Sequence, residues 1–313
     1  MITALKHPRT KIASRSHGYI GRFAPSPSGD LHFGSLVTAL GSFLQAKSQG
    51  GQWLLRIEDI DPPREVAGSS ESIKRCLEAH HLLWDGNIVY QSSRGDLYNE
   101  KIQYLTEQGL TYQCQCSRAQ LANPDFGRLC VCADQNMSFE NSAVRFRSYD
   151  DQKPFYDELL GKVDLPRHDV PMQFTVKRKD NLFAYQLAVV VDDIEQGITE
   201  VVRGADLLNA TLFQLALYKG FDCPAPKFLH FPVVVSEFGK KLSKQNHACE
   251  INNNDASNNL INALAFLGLS PSKELKQDSA QNILEWAICE WDLSNIPAKT
   301  ECIDNRIGQA DSI

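Results

Sequence analysis

The chain has 313 residues, a length that suits one large domain with an insertion, or two or three small ones. Hydrophobic residues make up 42% and charged residues 22%, an ordinary globular composition, and no apolar run reaches the length of a membrane span. A net charge of −6 argues against bulk, non-specific nucleic-acid binding, although a local basic stripe could still contact RNA.

Residues 1–17 carry Lys6, Arg9, Lys11 and Arg15 without the apolar core of a signal peptide. They read as a frayed tail, and the cytoplasm is the expected location. Tyr19–Phe23 predicts a short strand running into Ala24-Pro25-Ser26-Pro27-Ser28-Gly29, a turn with restricted backbone. Leu36, Val37, Leu40, Phe43 and Leu44 then recur at helical spacing until Gly50-Gly51, and Trp53–Ile57 is apolar enough for a strand buried on both faces. Strand, loop, helix and strand open a nucleotide-binding α/β fold. Helices are expected around Glu65–His80 and Arg94–Gln108. From Thr111 to about Leu182 the character changes to cysteines, prolines and short β-rich pieces (Ala143–Phe146, Phe174–Lys177), as an insertion would. Ala184–Asp193 and Glu200–Gly204 read as buried strands, Ala205–Lys219 as a helix and Phe228–Val235 as a strand. Residues 252–313 read as helical, with Leu260, Ile261, Leu264, Ala265 and Leu267 on one face.

The run from Arg22 to Ser35 (RFAPSPSGDLHFGS) joins a strand to a helix start, where free N–H groups and the positive dipole end suit phosphate. Gly34 removes a side chain where a flat base could approach, and His32 can donate to phosphate oxygens as charge builds. This run resembles the first signature of class I aminoacyl-tRNA synthetases, in their glutamyl and glutaminyl branch. Four further blocks resemble that family in its order: Arg56–Asp61 (RIEDID), Tyr185–Asp193 (YQLAVVVDD), Val202–Asp206 (VRGAD) and Lys241–Gln245 (KLSKQ). Together they cover about Tyr19 to Gln245. Ser35 replaces the family's second histidine, as in its glutamyl-Q group. A generic nucleotide-binding oxidoreductase is disfavoured, because no Gly-x-Gly-x-x-Gly fingerprint is present.

The resemblance implies an α/β fold: a Rossmann-like parallel-sheet catalytic domain (18–110 and 183–250) interrupted by a zinc-bearing α+β insertion at 111–182 and followed by a small helical, stem-contact-like region at 251–313. Glutamate needs cationic forks for its carboxylates and an anion for its ammonium. Arg22, Glu58 and Arg203 each stand at the carboxyl end of a strand, where an α/β sheet opens its ligand crevice. By similarity Arg22, Phe23, Ala24, Pro25, Ser26, Glu58, Tyr185 and Arg203 contact glutamate, while His32, Gly34, Ser35 and Lys244 bind ATP. His32, Lys241 and Lys244 act in catalysis, the lysines stabilising phosphate charge from a Gly239-led loop. Mg2+ is expected with ATP, bridging its phosphates.

Nine cysteines, an odd count, suit a reducing compartment, and four crowd into Cys114-x-Cys116 and Cys130-x-Cys132. Four thiolates would hold one structural Zn2+ and stabilise a segment too small for its own core. Glutamyl-Q relatives use Cys-x-Cys, a tyrosine and a cysteine. Here Arg128 or Phe126 takes the tyrosine's place, and neither ligates zinc. Residues 246–313 are too few for the usual anticodon-binding domain. The resemblance therefore implies tRNA-independent activation of L-glutamate, then transfer to queuosine at the wobble position of tRNA(Asp), by a monomer without membrane contact. A shortened enzyme charging the 3′ end of tRNA(Glu), or an inactive RNA-binding relative, stays open.

Overall fold

The computed structural model describes residues 18–122, 130–135, 140–148, 154–164, 172–235 and 251–303. The tail, Phe126, Arg128 and the Gly239–Gln245 lysine segment therefore lie outside the described residues.

Strand β1 (Ile20–Phe23) pairs parallel with β2 (Gln52–Ile57), and β2 with the short β3 (Val89–Tyr90). On the other side, β9 (Glu200–Gly204) pairs parallel with β10 (Lys227–Phe231), and β10 with β6 (Phe155–Asp157). The antiparallel β7 (Gly161–Val163) closes that edge. The two ladders meet at β1 and β9, where the Thr199 amide donates to the Ile20 carbonyl at 2.9 Å. The expected parallel sheet is thus present, with its order reversing between β1 and β9, the place where a sheet of this class opens a crevice. Within 111–182, β4 (Thr111–Cys114), β5 (Ala143–Ser148) and β8 (Met172–Lys177) form a separate antiparallel sheet, and the short α4 (Arg118–Ala122) follows β4. The β6–β7 hairpin from the same stretch joins the main sheet instead.

Helix α1 (Phe33–Ser48) packs on β1 and β2 through Leu36, Val37, Leu40 and Leu44, all buried. Gly41 faces the ring of Phe231 so closely that any Cβ there would overlap it. Helix α2 (Ser69–Ala79) starts later than expected, because Pro62–Arg64 forms a 3-10 turn and Gly68 stands at φ 81°. Helix α3 (Gly95–Glu107) lies where its sequence places it.

The segment read as a strand, Ala184–Asp193, is a helix: α5 (Tyr185–Glu195). Its apolar run is buried over every residue from Leu187 to Asp193, and an all-apolar stretch carries no periodicity to separate a buried strand from a buried helix. Gly197 at φ 66° follows its end, a left-handed residue suited to stopping a helix. Helix α6 (Ala210–Gly220) follows β9 after a 3-10 turn. The expected strand Phe228–Val235 is two pieces, β10 and β11 (Val233–Val235), divided at Pro232, which has no N–H to give a ladder. Helices α7 (Ala256–Phe266) and α8 (Ala280–Cys289) pack on α1. On α7, Ala263 is buried and Ala265 exposed, reversing one expected core position. The C-terminal region is not wholly helical either: β12 (Glu301–Ile303) pairs parallel with β11. No helix among the described residues is long and apolar enough to cross a membrane.

Candidate active site

Arg22, Glu58, Tyr185 and Arg203 converge where the sheet order reverses. Arg22 stands near the end of β1, Glu58 just after β2, Arg203 near the end of β9, and Tyr185 opens α5. Arg203, Glu58, Arg22 and Asp193 all act electrostatically on the Tyr185 phenol, whose pKa burial raises. Above them lies a cleft of about 660 Å³, lined among others by Ser26, Glu58, Arg178, Tyr185 and Asp206.

The two arginines differ. Arg22 is already engaged: its Nε donates to Asp193 Oδ1 at 3.1 Å and its Nη2 to Oδ2 at 3.4 Å, both groups buried. The fork expected to grip a substrate carboxylate is thus closed on the protein's own carboxylate, because α5 brings Asp193 beneath β1. Arg203 is also buried, but its partners are neutral. Nε donates to His230 Nε2 at 3.0 Å, Nη1 to Gln214 Oε1 at 2.8 Å and Nη2 to Thr211 Oγ1 at 2.8 Å. Among the described residues no carboxylate lies within 4.0 Å of its guanidinium. Burial accordingly holds Arg203 below the usual arginine range. Arg56, equally buried, is pushed above it, since Asp193, Glu58 and Asp192 together outweigh burial.

Glu58 is buried at the cleft wall. Its Oε1 stands 3.7 Å from Arg56 Nη2, too long for a hydrogen bond, and has no hydrogen-bond partner among the described residues. Burial pushes its pKa up to about 7, with Arg56 and Arg22 pulling the other way. Such a carboxylate can accept a cationic donor from the cleft.

Phe23 turns its ring into the core, stacked on Trp53 with centroids 6.2 Å apart, so only its backbone could meet a ligand. Beyond it the loop is stapled in place. The Glu58 amide donates to the Pro25 carbonyl at 3.0 Å, Val66 N to Pro27 O at 2.9 Å, and Gly29 N to Ser69 Oγ at 2.8 Å. Gly29 sits at φ 125°, a conformation that suits glycine. Ala24 and Pro25 are half-buried and Ser26 exposed.

His32 is the N-cap of α1. Its Nδ1 accepts from the Ser35 amide at 3.3 Å, and its Nε2 lies 3.0 Å from Ser35 Oγ. An acceptor at Nδ1 makes Nε2–H the donor of the neutral ring. A Cβ on Gly34 would stand 3.2 Å from His32 Cε1 and 3.8 Å from Val234, so the glycine makes room for the imidazole as much as for any base. Val234 belongs to β11, which leads into the lysine segment. Ile251, just past that segment, donates to the Leu31 carbonyl at 3.4 Å. Both described flanks of Lys241 and Lys244 therefore adjoin this loop.

The Sγ atoms of Cys114, Cys116, Cys130 and Cys132 lie within 4.8 Å of one another, three of them buried. Three Sγ separations are 3.5, 3.6 and 3.6 Å. A tetrahedron with Zn–S bonds of about 2.3 Å has edges of about 3.8 Å. The donor set fits zinc, and burial that pushes up the thiols of Cys114 and Cys116 makes gathering thiolates costly without a cation.

Residues 20–125 and 132–294 match the family of class I tRNA synthetases (E and Q), catalytic domain. The chain belongs to that family. It is 47% identical over 285 residues to a glutamyl-Q tRNA(Asp) synthetase of Photobacterium profundum, covering 91% of this chain and 92% of that one. It is 48% identical over 280 residues to a glutamyl-Q tRNA(Asp) synthetase of Yersinia pestis, covering 89% and 87%. The fold is similar to that of a glutamate-tRNA synthetase from Elizabethkingia anophelis, with a TM-score of 0.73 at 24% identity over 92% of this chain and 68% of the other.

In this class I tRNA synthetase, sequence reasoning misses the groups beneath the pocket. Arg56 figures there only within the RIEDID block, yet it stands 2.8 Å from Asp193 Oδ1 and donates to Gln196 Oε1 at 2.6 Å. Asp192 accepts from Gln91 at 2.7 Å, Arg94 at 2.6 Å and Tyr98 at 2.8 Å. Asp157 and His230 stand in none of the five blocks. For Asp192-Asp193 a signal is present: two carboxylates ending an otherwise apolar run must be buried with cations.

Proposed function

We propose that this chain activates L-glutamate with ATP, without tRNA, and transfers the glutamyl group to queuosine at the wobble position of tRNA(Asp). The observation that carries the glutamate assignment is Arg203, a buried cation whose described partners are all neutral. Such a group is complementary to an anionic ligand, and a carboxylate satisfies it bidentately. Arg203 takes the side-chain carboxylate, and Glu58 with Tyr185 takes the ammonium. Ala24 and Ser26 flank the rest, while Arg22, fixed by Asp193, supplies positive field and its remaining N–H groups.

The α-carboxylate then faces the loop of His32, Gly34 and Ser35, where ATP lies. A carboxylate oxygen attacks the α-phosphorus, the bond to the β-phosphate oxygen breaks, and pyrophosphate leaves. The Nε2–H of His32 and the ammonium groups of Lys241 and Lys244 stabilise the charge that grows on the phosphates. Mg2+ travels with ATP. In the second step a hydroxyl of the queuosine cyclopentenediol attacks the activated carbonyl, loses its proton and expels AMP. Cys114, Cys116, Cys130 and Cys132 would hold one zinc ion, which would supply structure rather than chemistry. The glutamyl-Q relatives at 47% and 48% identity support the choice of RNA.

The test is a charging assay with labelled glutamate on tRNA(Asp) with and without queuosine. Label confined to the queuosine-bearing RNA, and to its anticodon fragment, is the expected result. Equal labelling of both RNAs, or label on a 3′-terminal adenosine, overturns the assignment.

A further inference from the structure

We propose that Asp157 and His230 form a relay that positions Arg203 and preserves its charge for a substrate carboxylate, making both residues determinants of the preference for glutamate over glutamine. This rests on Arg203 being the carboxylate receptor.

His230 on β10 is the register partner of Arg203 on β9, so the two side chains share one face of the sheet. His230 is fully buried among three partners, Asp157, Arg203 and, 3.4 Å from Nε2, the Thr211 hydroxyl. Its Nδ1 lies 2.7 Å from Asp157 Oδ2, and its Nε2 lies 3.0 Å from Arg203 Nε. The Arg203 nitrogen can only donate, so Nε2 must accept and the proton must sit on Nδ1, facing Asp157. The imidazole is thereby neutral and of one tautomer. Burial holds it below the usual histidine range, and the charge of Arg203 acts in the same sense.

Asp157 is pinned in turn. Its Oδ1 accepts from Leu159 N at 3.0 Å and Leu160 N at 2.9 Å, in the turn between β6 and β7. The other acceptors of Arg203 are equally fixed: Gln214 presents Oε1 to it while its Nε2 donates to Gln186 Oε1 at 3.0 Å. Three neutral acceptors therefore orient the guanidinium, and the Asp157 carboxylate that holds one of them, His230, stands one residue further off. Direct pairing with a carboxylate, as Arg22 has with Asp193, would neutralise the receptor and let a carboxamide compete. The imidazole gives rigidity without neutralisation. The hairpin carrying Asp157 comes from the 111–182 stretch, so that stretch reaches the amino-acid pocket as well as the knuckle.

The experiment measures ATP–pyrophosphate exchange with the full chain, without tRNA, across glutamate and glutamine concentrations. Arg203→Gln tests the receptor itself; His230→Leu, His230→Gln and Asp157→Asn test the relay. Loss of one hydrogen bond to a charged group corresponds to about tenfold in an equilibrium constant. We expect His230→Leu to raise KM for glutamate about tenfold, leave KM for ATP in place and narrow the glutamate-over-glutamine ratio. His230→Gln, whose amide oxygen can replace the Nε2 acceptor, should recover most of that loss. A merely structural role would lower kcat through the active fraction and leave KM unmoved. If His230→Leu does not unfold cooperatively, Asp157→Asn decides, with the same rise in KM expected. Unchanged KM in Arg203→Gln refutes the receptor. A raised KM there, with KM unchanged in the folded relay variants, refutes the relay alone.

Discussion

Asp193 meets Arg22 edge to edge, Oδ1 at 3.1 Å from Nε and Oδ2 at 3.4 Å from Nη2, although 171 positions separate them. Burial alone would raise the Asp193 pKa, but Arg22 and Arg56 together outweigh it and hold the carboxyl below its ordinary 3.8. Asp193 thus contributes stability that is present above the unfolded-state pKa and lost as pH falls through the lower folded one. Asp193→Asn leaves the buried Arg22 guanidinium without its carboxylate partner and takes from Arg56 the nearest of its three carboxylates. We expect it to lose about 3–5 kcal/mol in denaturant unfolding at neutral pH. A loss below about 1 kcal/mol, the range of an exposed pair, would mean that the pair is not a structural anchor.

Glu58 behaves in the opposite sense. Its folded pKa of about 7 lies above the ordinary 4.5, so the folded chain holds the extra proton between those values. Its contribution to stability therefore falls as pH rises across that window, by on the order of 3 kcal/mol. In the proposed pocket the glutamate ammonium would pair with the ionised form. The kcat/KM for glutamate should fall about tenfold per pH unit below about pH 7, reporting the free enzyme. Glu58→Gln should flatten that limb, raise KM and unfold at higher temperature than wild type at about pH 8, where the native carboxylate is ionised in its buried site. A limb that persists in the variant would assign it to another group.

The cysteine knuckle should carry one zinc per chain. Metal analysis of Cys130→Ser and Cys132→Ser should show reduced zinc in each, with loss of order around Cys114–Cys132 by hydrogen exchange. Full retention of metal in both variants would rule out four thiolate ligands.

Gly41 lies against Phe231 without room for a methyl group. Gly41→Ala should cost about 1–3 kcal/mol through overpacking, despite the better helix propensity of alanine. Trimming the ring in Gly41→Ala/Phe231→Leu should recover part of the loss. A stabilised single variant would show that the helix can shift.

The loop from Arg22 to Ser35 is legible in the sequence because its chemistry is local: a strand end, a proline-rich turn and a helix start lie within one short run. The cysteine spacing is legible for the same reason. What lies beneath the pocket is not. Asp157 and His230 are 73 positions apart, and neither stands in a pattern that marks it. Only the register between β9 and β10 sets His230 beside Arg203. Helix α5 reads as a strand because Val189 to Val191 favours strand by residue type, while burial on every side removes the periodicity that would identify a helix. From sequence alone Arg22 and Arg203 are two equal forks. Asp193 separates them into an anchored cation and a receptive one.

The most direct test of that distinction is glutamate-dependent ATP–pyrophosphate exchange in the absence of RNA, comparing the native chain with Arg203→Gln. Exchange that needs glutamate and no tRNA, and a KM for glutamate raised at least about a hundredfold by losing a charged partner, is the predicted result. Exchange that requires tRNA, or a KM that Arg203→Gln leaves unchanged, would contradict it.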